Sequence, residues 1–199
     1  MAIIYPLVLP THTKIRSFEF RTINAVVESR SPFTFAGQVH AYAGQMWQAD
    51  IQLPPMNAAR AEQWLGFLLS LRGRFGTFLM GDPLRTSLRG TATSCIVTGV
   101  AGDNTVDAAV PVGETLLAGD YIQLGGGASA TLHKVLADYT GTGSAADLEI
   151  WPALRVQRSS VSAILTETKG VFKINSNEQA WSINEISIYG IAFGAVEAI

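Results

Sequence analysis

Charge is the first thing this sequence has little of. Only 15% of its 199 residues are Asp, Glu, Lys or Arg, where ordinary soluble domains carry about 25%. Cysteine is nearly absent. The single Cys95 excludes an intrachain disulfide framework and a Cys-rich zinc site, because either needs several sulfurs at short spacing. The three histidines, His12, His40 and His133, lie far apart, and none stands three or four residues from another ligand on a helical pattern, so no metal site and no cofactor are expected. Cations are few as well: 14 Lys+Arg against 16 Asp+Glu give a net charge of -2. Binding to nucleic acid needs clustered cations, so sequence-specific reading of nucleic acid is not expected. Long apolar runs are missing too. Mean hydropathy is +0.24, yet no run approaches the roughly 20 residues of a spanning helix. The opening Met1-Ala-Ile-Ile-Tyr-Pro-Leu-Val-Leu-Pro10 has no basic region and carries two prolines, so a signal peptide is not expected and synthesis in the cytoplasm is. Neither a Gly-x-Ser-x-Gly elbow nor a His-Glu-x-x-His occurs, and no enzyme activity is expected.

What remains is apolar and turn-rich: 48% hydrophobic residues and 19 glycines. A chain of this length buries about 70% of its unfolded surface, enough for a core without staples. With so few charges and no lipid to sit in, it is best explained as a subunit covered by others, because lasting interfaces are apolar and depleted of charge. The charge is also uneven. Residues 1–90 hold nine basic and five acidic side chains, and the remainder holds five and eleven.

Period-two patterns dominate. Residues 14–28 read as a strand in which Phe18 and Phe20 alternate with Glu19 and Arg21. Ile23, Ala25 and Val27 then continue on the other parity, a slip that predicts a bulge or bend. Trp47 to Leu53 alternate with Gln48, Asp50 and Gln52 as a half-buried strand. Pro54-Pro55 ends it, and Asn57 is placed to cap a helix over 57–72, with Gly73 at its end. That helix is wide in apolar residues (Ala61, Trp64, Leu65, Phe67, Leu68, Leu69 and Leu71), so two of its faces are expected to be covered. A strand over 74–80 follows. Residues 91–155 break into short β-prone pieces between Gly-rich turns, the mark of a small barrel or sandwich, and longer β patterns resume over 160–199. The chain is therefore read as mainly β with one α-helix (α+β). A β-sandwich-like domain of residues 1–90 plus 156–199 carries an inserted small β domain of residues 91–155.

Motifs with chemistry are weak. Gly141-Thr-Gly-Ser-Ala-Ala146 has dinucleotide-type spacing, but a β-like piece and Pro152 follow it rather than a helix, so a loop is expected. Gly125-Gly-Gly127 reads as a hairpin tip. Cys95 reads as a buried structural thiol and His133 as an imidazole on a strand surface.

Three blocks then stand out together: Ser31-Pro32-Phe33-Thr34; Gly44-Gln-Met-Trp47 running into Leu53-Pro54-Pro55-Met56; and Trp64-Leu-Gly-Phe-Leu-Leu-Ser-Leu-Arg-Gly73 followed by Gly76-Thr-Phe-Leu-Met-Gly-Asp-Pro83. With Leu117-Ala-Gly-Asp-Tyr-Ile-Gln-Leu124, Leu148-Glu-Ile-Trp-Pro152 and Phe193-Gly-Ala-Val-Glu197, they resemble the distal-tail proteins of long-tailed bacteriophages. The resemblance implies a virion component, a ring, usually of six copies, at the far end of the tail tube. Such a ring joins tube protein to the hub or tip, with the tape measure protein as a further neighbour. For the ring contact the residues to test are Phe33, Phe35 and Tyr42 in the turn-rich stretch over 31–44, and Trp64, Phe67 and Leu71 on the helix. Two other readings compete. One is an outward-facing carbohydrate-binding module with Tyr121, Tyr139 and Trp151 as stacking platforms. The other is a hydrolase in which His133 would meet a carboxylate.

Overall fold

The computed structural model describes residues 2–10, 15–185 and 187–199. The alternation over 47–53 is obeyed residue by residue: Trp47, Ala49, Ile51 and Leu53 are all buried, while Gln48, Asp50 and Gln52 face away. This segment ends β3 (Gly37–Gln52), which follows β1 (Leu7–Val8) and β2 (Ser17–Arg30). A short β4 (Met56–Asn57) leads into helix α1 (Ala58–Ser70), and β5 (Thr77–Met80) comes next. The Asn57 side chain accepts the Arg60 N–H at 3.3 Å, supplying the N-cap. The helix stops short of Arg72 because Arg72 and Gly73 both take positive φ, 52° and 67°. Its 13 residues span about 20 Å.

The middle of the chain is β6 (Ile96–Gly99), β7 (Thr105–Ala109), β8 (Thr115–Leu116), β9 (Tyr121–Leu124), β10 (Thr131–Val135), β11 (Tyr139–Thr140), β12 (Ala145–Trp151) and β13 (Arg158–Ser162). The end is β14 (Gly170–Ile174), β15 (Trp181–Ile183) and β16 (Ile188–Glu197). The fold is mainly β with one α-helix, two large sheets packed together in a sandwich-like α+β arrangement and a separate two-stranded pair of β8 and β11.

The first sheet runs β1-β5-β14-β16-β3-β2, with β4 and β15 on the far part of β16. The second runs β13-β6-β7-β12-β10-β9. Its two edges are tied by Gln123 and Ile164, which exchange backbone hydrogen bonds of 3.0 and 2.9 Å, so it curls into a barrel. Residues 158–162 pair with β6, and Ala163 and Leu165 belong to the barrel's core. The inserted part therefore extends past 155 to about residue 165, and the return to the first sheet begins only at β14. The boundary lies later than expected because Val161 and Leu165 carry the same alternation as the strands beyond them. No period distinguishes one sheet from the other.

The expected strand start at Lys14 lies outside the described residues, as does His12. The phase slip is realised as a bulge: between the pairs Asn24↔Gln45 and Val26↔Ala41, β2 advances by two positions and β3 by four. Beyond it the two strands continue as a ribbon to the Arg30↔Gly37 pair. The stretch over 31–44 is thus not a loop. Only residues 31–36 turn; 37–41 pair with β2 through Val39, Ala41 and their neighbours, small and β-branched side chains that suit a two-stranded ladder, and 42–44 lie in the bulge.

Candidate assembly surface

From position 22 to position 44 every side chain but Ser31 is exposed. This is the distal part of the β2–β3 hairpin. It leaves the body as an arm with no third strand on either face or edge among the described residues. Ile23, Val26, Val27, Phe33, Phe35, Val39 and Tyr42 all stand out on it. Phe33 is 90% exposed, Phe35 73% and Tyr42 64%. The exterior is therefore not hydrophilic all round, and this patch is concentrated on one projecting element.

The tip is ordered by its own backbone. The Ser31 carbonyl accepts from Phe35 N at 3.0 Å, and the Ser31 N–H donates to Ala36 O at 2.9 Å. The Ser31 hydroxyl also accepts the N–H groups of Phe33 and Thr34. Phe35 sits at φ 57°, a left-handed conformation that costs a bulky residue about 1–3 kcal/mol and persists where surrounding bonds enforce it.

The root of the arm is clamped by the barrel. The inward parity of the hairpin carries Phe18, Phe20, Trp47, Ala49 and Ile51 into the core, then meets two polar residues, Asn24 and Gln45. Trp151 Nε1 donates to Asn24 Oδ1 at 2.8 Å, and Ala153 N donates to Gln45 Oε1 at 2.7 Å. Arg155 pairs with Glu197 at 2.7 Å and also donates to the Gln45 carbonyl. Glu197 accepts the Trp47 N–H at 3.1 Å, and Trp47 Nε1 donates to Leu132 O at 2.9 Å. The two indoles meet edge to face, centroids 4.5 Å apart. These residues hold the arm's angle to the body. Sequence reasoning singled out Trp151 for another role and missed the part of Asn24, Gln45, Arg155 and Glu197, although polar residues at two facing positions, Asn24 and Gln45, are the signal that something beyond the sheet must satisfy them.

The other expected positions fall elsewhere. Trp64, Phe67 and Leu71 are 4%, 8% and 0% exposed. Trp64 packs on Phe193 and Phe67 on Phe78, so the chain's own first sheet takes the face expected to meet a neighbouring copy. One side of the helix is covered rather than the two expected: Ala61, Trp64, Leu65, Phe67 and Leu68 form one broad buried side, and Leu69 is exposed. Tyr121 and Tyr139 are buried as well. The Tyr139 hydroxyl donates to Ala108 O at 2.6 Å, and Tyr121 lies against Trp47 and Phe20. Neither ring can stack on a sugar, and Trp151, half-buried on Trp47, is occupied by the clamp.

His133 is fully buried rather than on a strand surface. Its Nδ1 lies 2.7 Å from Pro152 O and its Nε2 2.9 Å from Thr131 Oγ1. Burial is the first cause that pushes its pKa down to about 4. Its partners are a carbonyl and a hydroxyl, not the carboxylate a hydrolase would need. Cys95 is buried as expected, and burial pushes its thiol up to about 11, which removes the reactive thiolate. Gly125–Gly127 turn between β9 and β10, and the Gly141 run joins β11 to β12 with no helix. Among the described residues no group of three or more His, Cys, Asp or Glu is placed to hold a metal ion, and no helix is long and apolar enough to cross a membrane. Compared with known families and with curated proteins, the chain matches no family model and no curated sequence.

Proposed function

We propose that this chain is a structural subunit of a bacteriophage tail, one copy of a ring at the distal end of the tail tube that joins the tube to the hub or tip. The observation that supports it best is the arm over residues 22–44. A two-stranded hairpin standing alone in water is marginally stable at best, and here it exposes seven large apolar side chains. A neighbour's surface would complete it. The arm alone is long enough to supply one side of a standard interface, which takes roughly 20–30 residues. The low charge fraction and the blocks resembling distal-tail proteins point the same way. The work of such a subunit is mechanical: one heterologous contact repeated about an axis closes a ring, with no bond made or broken.

Sedimentation of the full chain, alone and with tube protein, tests the reading. A closed ring of six copies, each 21.3 kDa, should sediment at roughly 130 kDa. Replacing residues 26–41 by a tight turn should leave a folded monomer that no longer associates. A full chain that stays monomeric in every mixture with tube and hub would refute the reading.

A further inference from the structure

The first sheet has a groove at the end of the β2–β3 hairpin opposite the arm's tip. It lies between β3's end and the β15–β16 pair, has a volume of about 480 Å³ and is lined by Arg16, Pro55, Ala180, Trp181, Gly190 and Ala192. Trp181 is 43% exposed and lines this open trough with Arg16, Gln52, Leu53, Pro55 and Ile191 among smaller residues. That lining suits a flat aromatic guest, which can stack on the indole and offer its ring face to the cation.

The guest and the groove sit at opposite ends of one hairpin. Ser17↔Gln52 is the pair at the groove and Arg30↔Gly37 the pair at the tip. At about 3.4 Å per residue the separation is roughly 45 Å, so the Phe33 and Phe35 rings cannot reach the groove of their own chain. We infer that the arm tip of one copy, Phe33 and Phe35, seats in the Pro55–Trp181 groove of a second copy of this chain. The inference rests on the proposed assembly role and names its contact.

Three observations favour this occupant. The tip is held in one shape by Ser31, which lowers the ordering cost of binding. Its two rings, 90% and 73% exposed, offer roughly 300 Å² of aromatic surface at about 200 Å² per ring, and the ribbon behind them brings the contact toward the roughly 800 Å² per partner of a stable interface. Tip and groove are different surfaces on one chain, so the contact is head-to-tail and can repeat until the circle closes.

The test uses the full chain. Benzoylphenylalanine placed at position 33 and irradiated in the assembled particle should cross-link between chains, to the peptide holding Trp181 or to the one holding Pro55. Two variants complement this: Phe33→Ser with Phe35→Ser removes the tip, and Ala192→Arg, at an exposed position, fills the groove. Each alone should associate roughly thirtyfold more weakly or worse, the scale of a lost hot spot. Mixed, they retain one good tip and one good groove, and should stop at a pair of chains, twice the 21.3 kDa of one copy. Rings that form with the adduct mapped elsewhere overturn the tip-in-groove contact and leave the assembly role standing. A wild-type chain that never self-associates, with or without tube protein, overturns both.

Discussion

Replacing Arg155 by alanine should destabilise the chain more than any surface change, through what it does to Glu197. The Glu197 side chain is 6% exposed and Arg155 15%. The guanidinium reaches both carboxylate oxygens, Nε at 3.2 Å and Nη2 at 2.7 Å. Without it the carboxylate keeps the Trp47 N–H and loses its counter-charge inside the protein. Breaking a buried pair from one side costs about 3–5 kcal/mol. For a chain of this size each kcal/mol moves the melting temperature by roughly 2–4 °C, so the expected fall is about 6–20 °C. The double change Arg155→Met with Glu197→Gln removes both charges while keeping a carbonyl for the Trp47 N–H, and it should recover most of the loss, since apolar replacements of buried pairs are often neutral. Thermal unfolding followed by circular dichroism reads both. The reasoning fails if Arg155→Ala melts within about 2 °C of the wild type, less than the smallest shift one kcal/mol should give, or if the double variant is no better than the single one.

Two further outcomes follow from the buried interior. The His133 ring binds its proton near pH 4 in the folded chain against 6.5 when exposed. Between those values the unfolded state binds more protons, so stability rises with pH across this window by roughly 3 kcal/mol and is lost as pH falls through it. Urea midpoints at pH 4 and pH 7 should differ less for His133→Gln than for the wild type, and equal differences would exclude His133 as the source. Leu71, fully buried at the end of α1, should cost about 2–5 kcal/mol on change to alanine. Urea unfolding checks it, and a loss under about 1 kcal/mol would place Leu71 at a surface.

Where one face of a strand is wet and the other dry, the sequence announces it. Trp47 to Leu53 and the slip after Phe20 are legible for that reason, and the Asn57 cap is legible because a helix start has its own chemistry. What stays hidden is which sheet a strand joins. Val161 pairs with Val97, a partner from the far side of the whole barrel sequence that no local pattern specifies. The helix aromatics depart from expectation for a related cause. Trp64 and Phe67 look surplus to one amphipathic stripe, but a twisted sheet carrying Phe78 and Phe193 accepts a broader face than a neighbouring helix would. His133 looks wet in the sequence because it falls between the alternating Leu132, Lys134 and Leu136, but this strand is covered on both faces: Leu132 packs in the first sheet's core, and His133, on the side of Ile122 and Val135, is buried in the barrel. Of the expected contact residues, Phe33, Phe35 and Tyr42 stand free for a partner. Aromatic residues beside Ser, Pro and Thr can be read as exposed without knowing that they crown a ribbon.

The ribbon poses a problem that bears on how such a subunit must be made. β2 is the first sheet's outer edge along all 14 residues, and β3 is paired on its other side only over 48–52. Each edge is a row of open hydrogen-bonding groups, and long exposed edges invite uncontrolled pairing. The arm carries two devices against it. Arg30 and Glu28 pair at 3.2 Å, an exposed bridge that adds little stability but puts charge beside any strand that tries to align there. The bulge at Asn24–Val26 adds twist where the ribbon leaves the body, and a twisted edge is a poor template for a flat stack. Neither device covers Phe33 or Phe35. The edges are guarded while the tip is left open, a division that would separate the proposed side-chain contact at the tip from open-ended growth through the backbone. Removing the guard with Arg30→Val and Glu28→Val should therefore convert the chain from discrete particles to fibrils that bind thioflavin. Unchanged particles in electron micrographs would show that the edge was never the hazard.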